Sequence, residues 1–374
     1  MLHLSLAWMR SSSSIAASPS WSNAWRLLSE TGQDRTNAAA LAALFETVAA
    51  QDAALIGGIA AYRRHGYQRS LPPPPAIWSE SETELLDYGG EGHKILFVPS
   101  LVNRAYILDL MPDASMMRWL AGNGAHPYLL DWGWPGDIER KFTLTDYVAG
   151  RLERAIAAIP GPLILAGYCM GGLLALAAAQ RHRGKITALA LLATPWDFHA
   201  AGAAQSKQLA DSLPMLEPMM NLSGTLPIDA LQTLFTMIDP FGVGEKYRDF
   251  ALQNPLSSRA QRFVAMEDWL ADGVPLSAPV ARETLSGWYG ANSPATGTWR
   301  IAGQPVDPTL LSLPAFIAAP GRDKLVPPES ARSLAQKIPN AAYIEPNAGH
   351  IGMIAGTHAQ TALWEPFKAW LEGL

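Results

Sequence analysis

Gly167-Tyr168-Cys169-Met170-Gly171-Gly172 directly follows the apolar run Leu163 to Ala166 and directly precedes a helical run from Leu173 to His182. A nucleophile on so tight a strand-to-helix turn is forced into a strained conformation, and the flanking Gly167, Gly171 and Gly172 let backbone and helix pack close around it. Here the nucleophile position carries sulfur. A helix N-terminus and a neighbouring imidazole both favour a thiolate at Cys169. The competing reading is a buried, inert thiol; glycines on both sides, between a strand and a helix, argue against it.

Such a nucleophile needs an acid and a base, in the chain order nucleophile, acid, base. Asp323 stands where a turn leaves the apolar run Ala315 to Ala318, and His350 follows the run Ala342 to Ile344, 27 positions further on. The other histidines fit less well. His93 precedes a strand, His182 ends a helix between Arg181 and Arg183, and His3, His65, His126 and His358 fall at a terminus, linker, strand start or surface helix. His199, close to Asp197, is the serious competitor. Asp131, in Asp131-Trp132-Gly133, is read as fixing its own loop. Acyl transfer through sulfur also needs donors for a tetrahedral oxyanion. The N–H of Met170 is one candidate, and a second is expected after the strand at Lys94 to Val98, at Leu101 or Val102.

Positioning these groups requires an open sheet. Lys94 to Val98, Pro127 to Leu130, Leu163 to Ala166, Ile186 to Ala193, Ala315 to Ala318 and Ala342 to Ile344 are short runs apolar on both faces, which suits a parallel sheet covered by helices. Val148, Leu152, Ala155, Ile156 and Ile159 share one face of a crossover helix over 145–159. The interval after Ile186 to Ala193 breaks the rhythm. Met215, Met219, Met220, Leu222, Leu226 and Ile228 lie among Pro214, Pro218, Gly224 and Pro227, an apolar, irregular insertion. A cap over the C-terminal edge of the sheet is the simplest reading; a helical subdomain without a gating role is the other. Residues 10–35 are Ser-rich, with Ser11 to Ser14 in a row, and are expected to be loosely held. Leu41, Leu44, Phe45, Val48, Leu55, Ile56 and Ile59 repeat at helical spacing, and Pro72 to Pro75 mark a linker. The expected organisation is therefore an N-terminal loose segment and helix over 1–75, a core over 76–198, a cap or lid over 199–305 and a second core part over 306–374.

Composition narrows the classes of function. Among 374 residues there is a single cysteine, so an intrachain disulfide, a cysteine-based zinc cluster and a dithiol redox motif are excluded. The formal charge of −5 offers no basic stripe for nucleic acid. Charged residues make up 16%, against roughly a quarter in ordinary domains. Residues 155–180 carry no charge at all, but Pro160, Gly161, Pro162, Gly167, Gly171 and Gly172 break the run into helix end, strand, turn and helix start, so no transmembrane segment is expected. Met1 to Trp8 lacks the positive region of a secretory signal, so a cytoplasmic setting is expected. No metal site is expected, because no His and carboxylate pair stands at ligand spacing.

From Asp87 onward the sequence resembles polyhydroxyalkanoate synthases, acyltransferases that polymerise 3-hydroxyacyl-CoA into storage polyester. The matching segments are Leu101-Val102-Asn103-Arg104-Ala105-Tyr106-Ile107-Leu108-Asp109-Leu110, Tyr128 to Gly133, the cysteine box Gly167 to Gly172, Thr194-Pro195-Trp196-Asp197-Phe198, Asp323-Lys324-Leu325-Val326-Pro327 and Gly349-His350-Ile351-Gly352. The resemblance implies an α/β-hydrolase fold with a mostly parallel sheet and an inserted cap. It makes Cys169 the covalent acyl carrier, His350 its general base and Asp323 the group that orients the base or activates the incoming hydroxyl. It implies no cofactor beyond the 3-hydroxyacyl-CoA substrate. The length matches the shorter synthases that work with a second, non-catalytic subunit, and dimerisation and a place at the polyester granule surface are implied with it. Lys324 stands where many members carry His, and Ala348 where Gly is usual. A cysteine-dependent thioesterase or intracellular depolymerase on the same scaffold is the alternative enzyme, and a silent granule-associated protein is the reading from another class.

Overall fold

The computed structural model describes residues 38–238 and 242–374, so the Ser-rich stretch 10–35 and His3 lie outside the described residues. The chain divides into two compact units. The larger holds 69–231 and 266–374; the described residues of the smaller are 38–68, 232–238 and 242–265.

The larger unit is built on an eight-stranded sheet. Its strands are β1 (Ala76–Glu80), β2 (Thr83–Asp87), β3 (His93–Val98), β4 (Ala125–Asp131), β5 (Leu163–Tyr168), β6 (Ile186–Leu192), β7 (Ala315–Ala318) and β8 (Ala342–Ile344), in the order β1-β2-β4-β3-β5-β6-β7-β8. From β4 to β8 all pairings are parallel, whereas β1 and β2 form an antiparallel hairpin against β4. The six strands from β3 to β8 are those expected from apolar runs, within a residue or two of their ends. Every residue of β5 is buried, because helices cover both faces. The edge hairpin escaped that reading: β1, with the sequence Ala-Ile-Trp-Ser-Glu, follows directly on Pro72 to Pro75 and is largely exposed.

The chain passes from β3 to β4 on one side and then crosses back over β3 to reach β5 on the other. That reversal opens a crevice at the C-terminal ends of β3 and β5, the place where open α/β sheets take their ligands. The crossover α1 (144–158) starts at a capping box, in which Thr143 Oγ1 accepts from the Asp146 N–H at 3.2 Å and the Asp146 carboxylate accepts from the Thr143 N–H at 2.8 Å. Val148, Leu152, Ala155 and Ile156 are buried, as their spacing predicts. From the same helix the buried Arg151 reaches the Glu80 carbonyl at 2.8 Å, Thr83 Oγ1 at 2.6 Å and the Glu139 carboxylate at 2.7 Å, which ties the edge hairpin to the crossover. The uncharged run 155–180 is resolved into the end of α1, β5 and α2 (Met170–Arg181). Among the described residues no helix is long and apolar enough to cross a membrane.

The insertion is more regular than its prolines suggest. Leu213–Ser223 is a helix in which Pro214 occupies the first turn, where no intrahelical donor is needed, while Pro218 lies inside. Only Met220 of this helix is fully buried; Met215 and Leu222 are exposed. Of the interval 199–305, residues 199–231 and 266–305 belong to the larger unit and 232–265 to the smaller.

In the smaller unit an unbroken helix, Ala38–Arg64, sets Leu55 against Val243 and Tyr247, with Ile59, Tyr62 and Phe263 around them. Gly57 and Gly58 do not interrupt it. A Cβ at Gly58 would lie 1.9 Å from the Tyr247 carbonyl oxygen, so the glycine permits close approach of the helix Gly242–Ala251. Phe45 and Ile56, placed on the apolar face by their spacing, are exposed.

Candidate active site

Cys169 is the single residue between β5 and α2. Its φ of 56° and ψ of −128° are those of a strained turn, held by a hydrogen bond from its N–H to the Leu192 carbonyl at 2.8 Å. Room for this turn comes from the glycines. A Cβ at Gly167 would stand 2.4 Å from the Gly172 Cα, one at Gly171 would stand 2.0 Å from the Val98 carbonyl oxygen, and one at Gly172 would meet Thr194 Oγ1 at 1.9 Å. The N-terminus of α2 therefore rests directly on the end of β3.

His350 and Asp323 come from the loops after β8 and β7. Those loops are laced together by hydrogen bonds from the Gly321 N–H to the Pro346 carbonyl at 2.8 Å and from the Arg322 N–H to the Ala348 carbonyl at 2.9 Å. Asp323 Oδ1 accepts from the Leu325 and Val326 N–H groups, each at 2.9 Å, which leaves Oδ2 to meet His350 Nδ1 at 2.6 Å. The Asp323 side chain has no exposure and that of His350 only 10%. The Cys169 sulfur lies near enough to the imidazole to act on its charge. Burial works against charge on His350, but the Cys169 sulfur and the Asp323 carboxylate outweigh it and push the imidazole up to about 10. Asp323 and His350 thus share a short hydrogen bond, with the Cys169 sulfur close enough to the imidazole to raise it. Lys324, beside Asp323, is exposed.

The other candidates separate. His199 Nε2 meets the Tyr289 carbonyl at 2.8 Å, and the His199 N–H donates to Asp197 Oδ1 at 2.9 Å, so this ring is tied to the segment Glu283–Gly290. His126 is paired with Asp87 at 2.7 Å, His182 with Glu153 at 3.2 Å, and His65 reaches the Pro255 carbonyl at 2.7 Å. Asp131 accepts from the Gly133 N–H at 3.0 Å, in keeping with a loop-fixing role. Among the described residues no group of three or more His, Cys, Asp or Glu is placed to hold a metal ion.

Of the oxyanion candidates, Met170 opens α2, so its N–H has no acceptor within the helix. The Val102 N–H is directed at Ser100 Oγ at 3.3 Å, whereas among the described residues no acceptor meets the N–H of the buried Leu101. Leu101 is therefore the better placed of the pair. Two tyrosines add to the site. Tyr168, buried next to the cysteine, donates to the His350 carbonyl at 3.2 Å. Tyr289 is held as a neutral phenol by burial and by the charge of the nearby Cys169 sulfur. Tyr168 was in view inside the cysteine box; nothing in the local pattern around Tyr289 marks it, because its relation to Cys169 arises only when the insertion folds.

The coupling between His350 and Cys169 carries a prediction. Alkylating Cys169 with iodoacetamide blocks the sulfur that raises His350, so the imidazole titration should move down from about 10, followed by NMR of the ring protons. An unchanged titration would mean that the two groups are not in contact.

A family model described as the alpha/beta hydrolase fold matches residues 120–357. The chain belongs to the α/β-hydrolase fold family. Its sheet, mostly parallel with one antiparallel edge hairpin, is that of an α/β-hydrolase. Among curated proteins it resembles poly(3-hydroxyalkanoate) polymerase subunit PhaC of Haloferax mediterranei, 28% identical over 80% of this chain and 63% of that protein. It also resembles the protein of the same name from Allochromatium vinosum, 28% identical over 80% of this chain and 88% of that one. The chain thus spans less than two thirds of the haloarchaeal relative and most of the bacterial one. Among solved structures, an epoxide hydrolase from Bacillus megaterium superposes with a TM-score of 0.50 at 14% identity, over 80% of this chain and 100% of that one, a likeness of fold alone.

Proposed function

We propose that this α/β-hydrolase is an acyltransferase that polymerises 3-hydroxyacyl-CoA into polyhydroxyalkanoate through a thioester on Cys169, releasing CoA. The observation that carries the reading is sulfur at the strained turn, beside an imidazole that Asp323 orients. The likeness to curated polymerase subunits supplies the substrate class.

In the first half-reaction the Cys169 sulfur attacks the thioester carbonyl, and the Met170 and Leu101 N–H groups receive the oxyanion. The C–S bond to CoA then breaks, and the His350 imidazolium gives its proton to the departing CoA sulfur. Acylation removes the negative sulfur that had raised His350, so the ring becomes a base when one is needed. In the second half-reaction His350 takes the proton of a 3-hydroxyl group, whose oxygen attacks the Cys169 thioester; the ester forms and the thiolate returns. Asp323 keeps Nδ1 occupied throughout and steadies the imidazolium. Exchange of one thioester for another is nearly isoenergetic, so the intermediate stays activated for ester formation. The near-complete burial of the Asp323 and His350 side chains limits the water that would hydrolyse it.

The same proposal includes a second, non-catalytic subunit, since the relatives are named as subunits, together with a homodimer and a cytoplasmic site at the polyester granule surface. No cofactor beyond the CoA thioester enters the scheme. Incubating the purified protein with 3-hydroxybutyryl-CoA and following CoA release and turbidity tests it. CoA release with insoluble polymer is the expected result. Release with only free hydroxy acid would replace polymerisation by hydrolysis, and no release, with or without a second subunit, would sink both.

A further inference from the structure

The loop that carries Leu101 is gripped from one direction by a segment of the insertion. The Val274 N–H donates to the Val102 carbonyl at 3.2 Å, Asn103 and Gly273 form an antiparallel bridge, and Trp269 Nε1 donates to the Arg104 carbonyl at 2.7 Å. Burial, and after it the nearby Asp272 carboxylate, raise the Tyr106 phenol above its ordinary range. The Arg69 guanidinium lies over the Tyr106 ring at 5.0 Å. Trp269 and Val274 are buried. At its far end the loop runs into Asp109, whose unexposed carboxylate takes Ser115 Oγ at 2.6 Å and Arg118 Nε at 2.8 Å. Between β3 and Asp109 the loop closes on a buried 3-10 turn at Ala105–Leu108, and before it, besides an Arg104 to Asp131 ion pair at 3.7 Å, residues 269–274 supply the main-chain partners of Val102 to Arg104.

The geometry points to Trp269 as a positioning residue for the oxyanion donor at Leu101. Peptide groups are rigid planes. The Ser100 hydroxyl fixes the plane that carries the Val102 N–H, Val274 fixes the one that carries the Val102 carbonyl, and Trp269 fixes the one that carries the Arg104 carbonyl. What remains free to misplace the Leu101 N–H is then little more than the torsions of Leu101 itself. A donor must sit within about half an ångström of its productive position to stabilise an oxyanion. The inference rests on the acyl-transfer reading of Cys169 and adds to it a residue that holds the second donor in place.

Two reactions of the same sulfur separate positioning from general damage. Acylation by 3-hydroxybutyryl-CoA passes through an oxyanion; alkylation by iodoacetamide does not, and with one cysteine in the chain it reports Cys169 alone. Trp269→Phe should slow the burst of CoA release by about tenfold to hundredfold, with KM within about twofold and the alkylation rate unchanged. Unchanged acylation in Trp269→Phe would overturn the inference, as would acylation and alkylation falling together. A wild-type protein that alkylates but releases no CoA would overturn the acyl-transfer reading and this inference with it.

Discussion

Replacing Cys169 by alanine should abolish CoA release from 3-hydroxybutyryl-CoA, a fall of at least about 10⁴-fold in kcat/KM. The size of the effect follows from the chain having no second thiol to take over the acyl group. His350 and Asp323 would remain in place, but an imidazole with no sulfur to activate offers only base assistance to water. Cys169→Ser is the more discriminating variant. A hydroxyl must be deprotonated by His350 during attack, and the oxyester it forms is less activated than a thioester, so release should fall by about 10² or more and polymer should not form. CoA measured by chromatography, with pelleted polymer weighed separately, reads both outcomes. Turnover retained by the alanine variant would refute covalent catalysis at this position altogether.

Much of this site was legible in the sequence because its chemistry is local. The strand, the turn with its glycines and the helix around Cys169 lie within twenty consecutive residues, and each signals itself by apolar runs or by Gly. Asp323 and His350 are remote in the chain but stand directly after apolar strands, and a parallel sheet brings such positions to one edge. What could not be read is what depends on contacts between distant irregular segments. Val102 and Leu101 look equivalent as main-chain donors until the Ser100 hydroxyl is seen to engage one of them. Tyr289 and the clamp by Trp269 belong to the insertion, whose prolines suggested irregular chain where helices form. The edge hairpin β1–β2 was missed for a related reason: β1 is a short, largely exposed strand directly after four prolines, and the buried Arg151 that anchors it reads in sequence as an ordinary helix charge.

Gly171→Ala should be strongly disruptive, lowering stability by ~3 kcal/mol or more. The added carbon would sit 2.0 Å from the Val98 carbonyl oxygen and 2.5 Å from that of Pro99. Both are backbone atoms at the buried C-terminal end of the central strand β3, so neither can swing away as a side-chain tip would. Relief requires α2 to lift off β3, and that movement also draws the Met170 N–H away from the Leu101 loop. Stability and acyl transfer should therefore fall together, while Gly184→Ala, where a methyl meets nothing within 4 Å, serves as the matched control. The comparison is made on the urea midpoint and on the burst of CoA release. If Gly171→Ala left both at wild-type values, the close seating of the elbow on β3, and with it the placement of Cys169 beside its oxyanion donors, would be wrong.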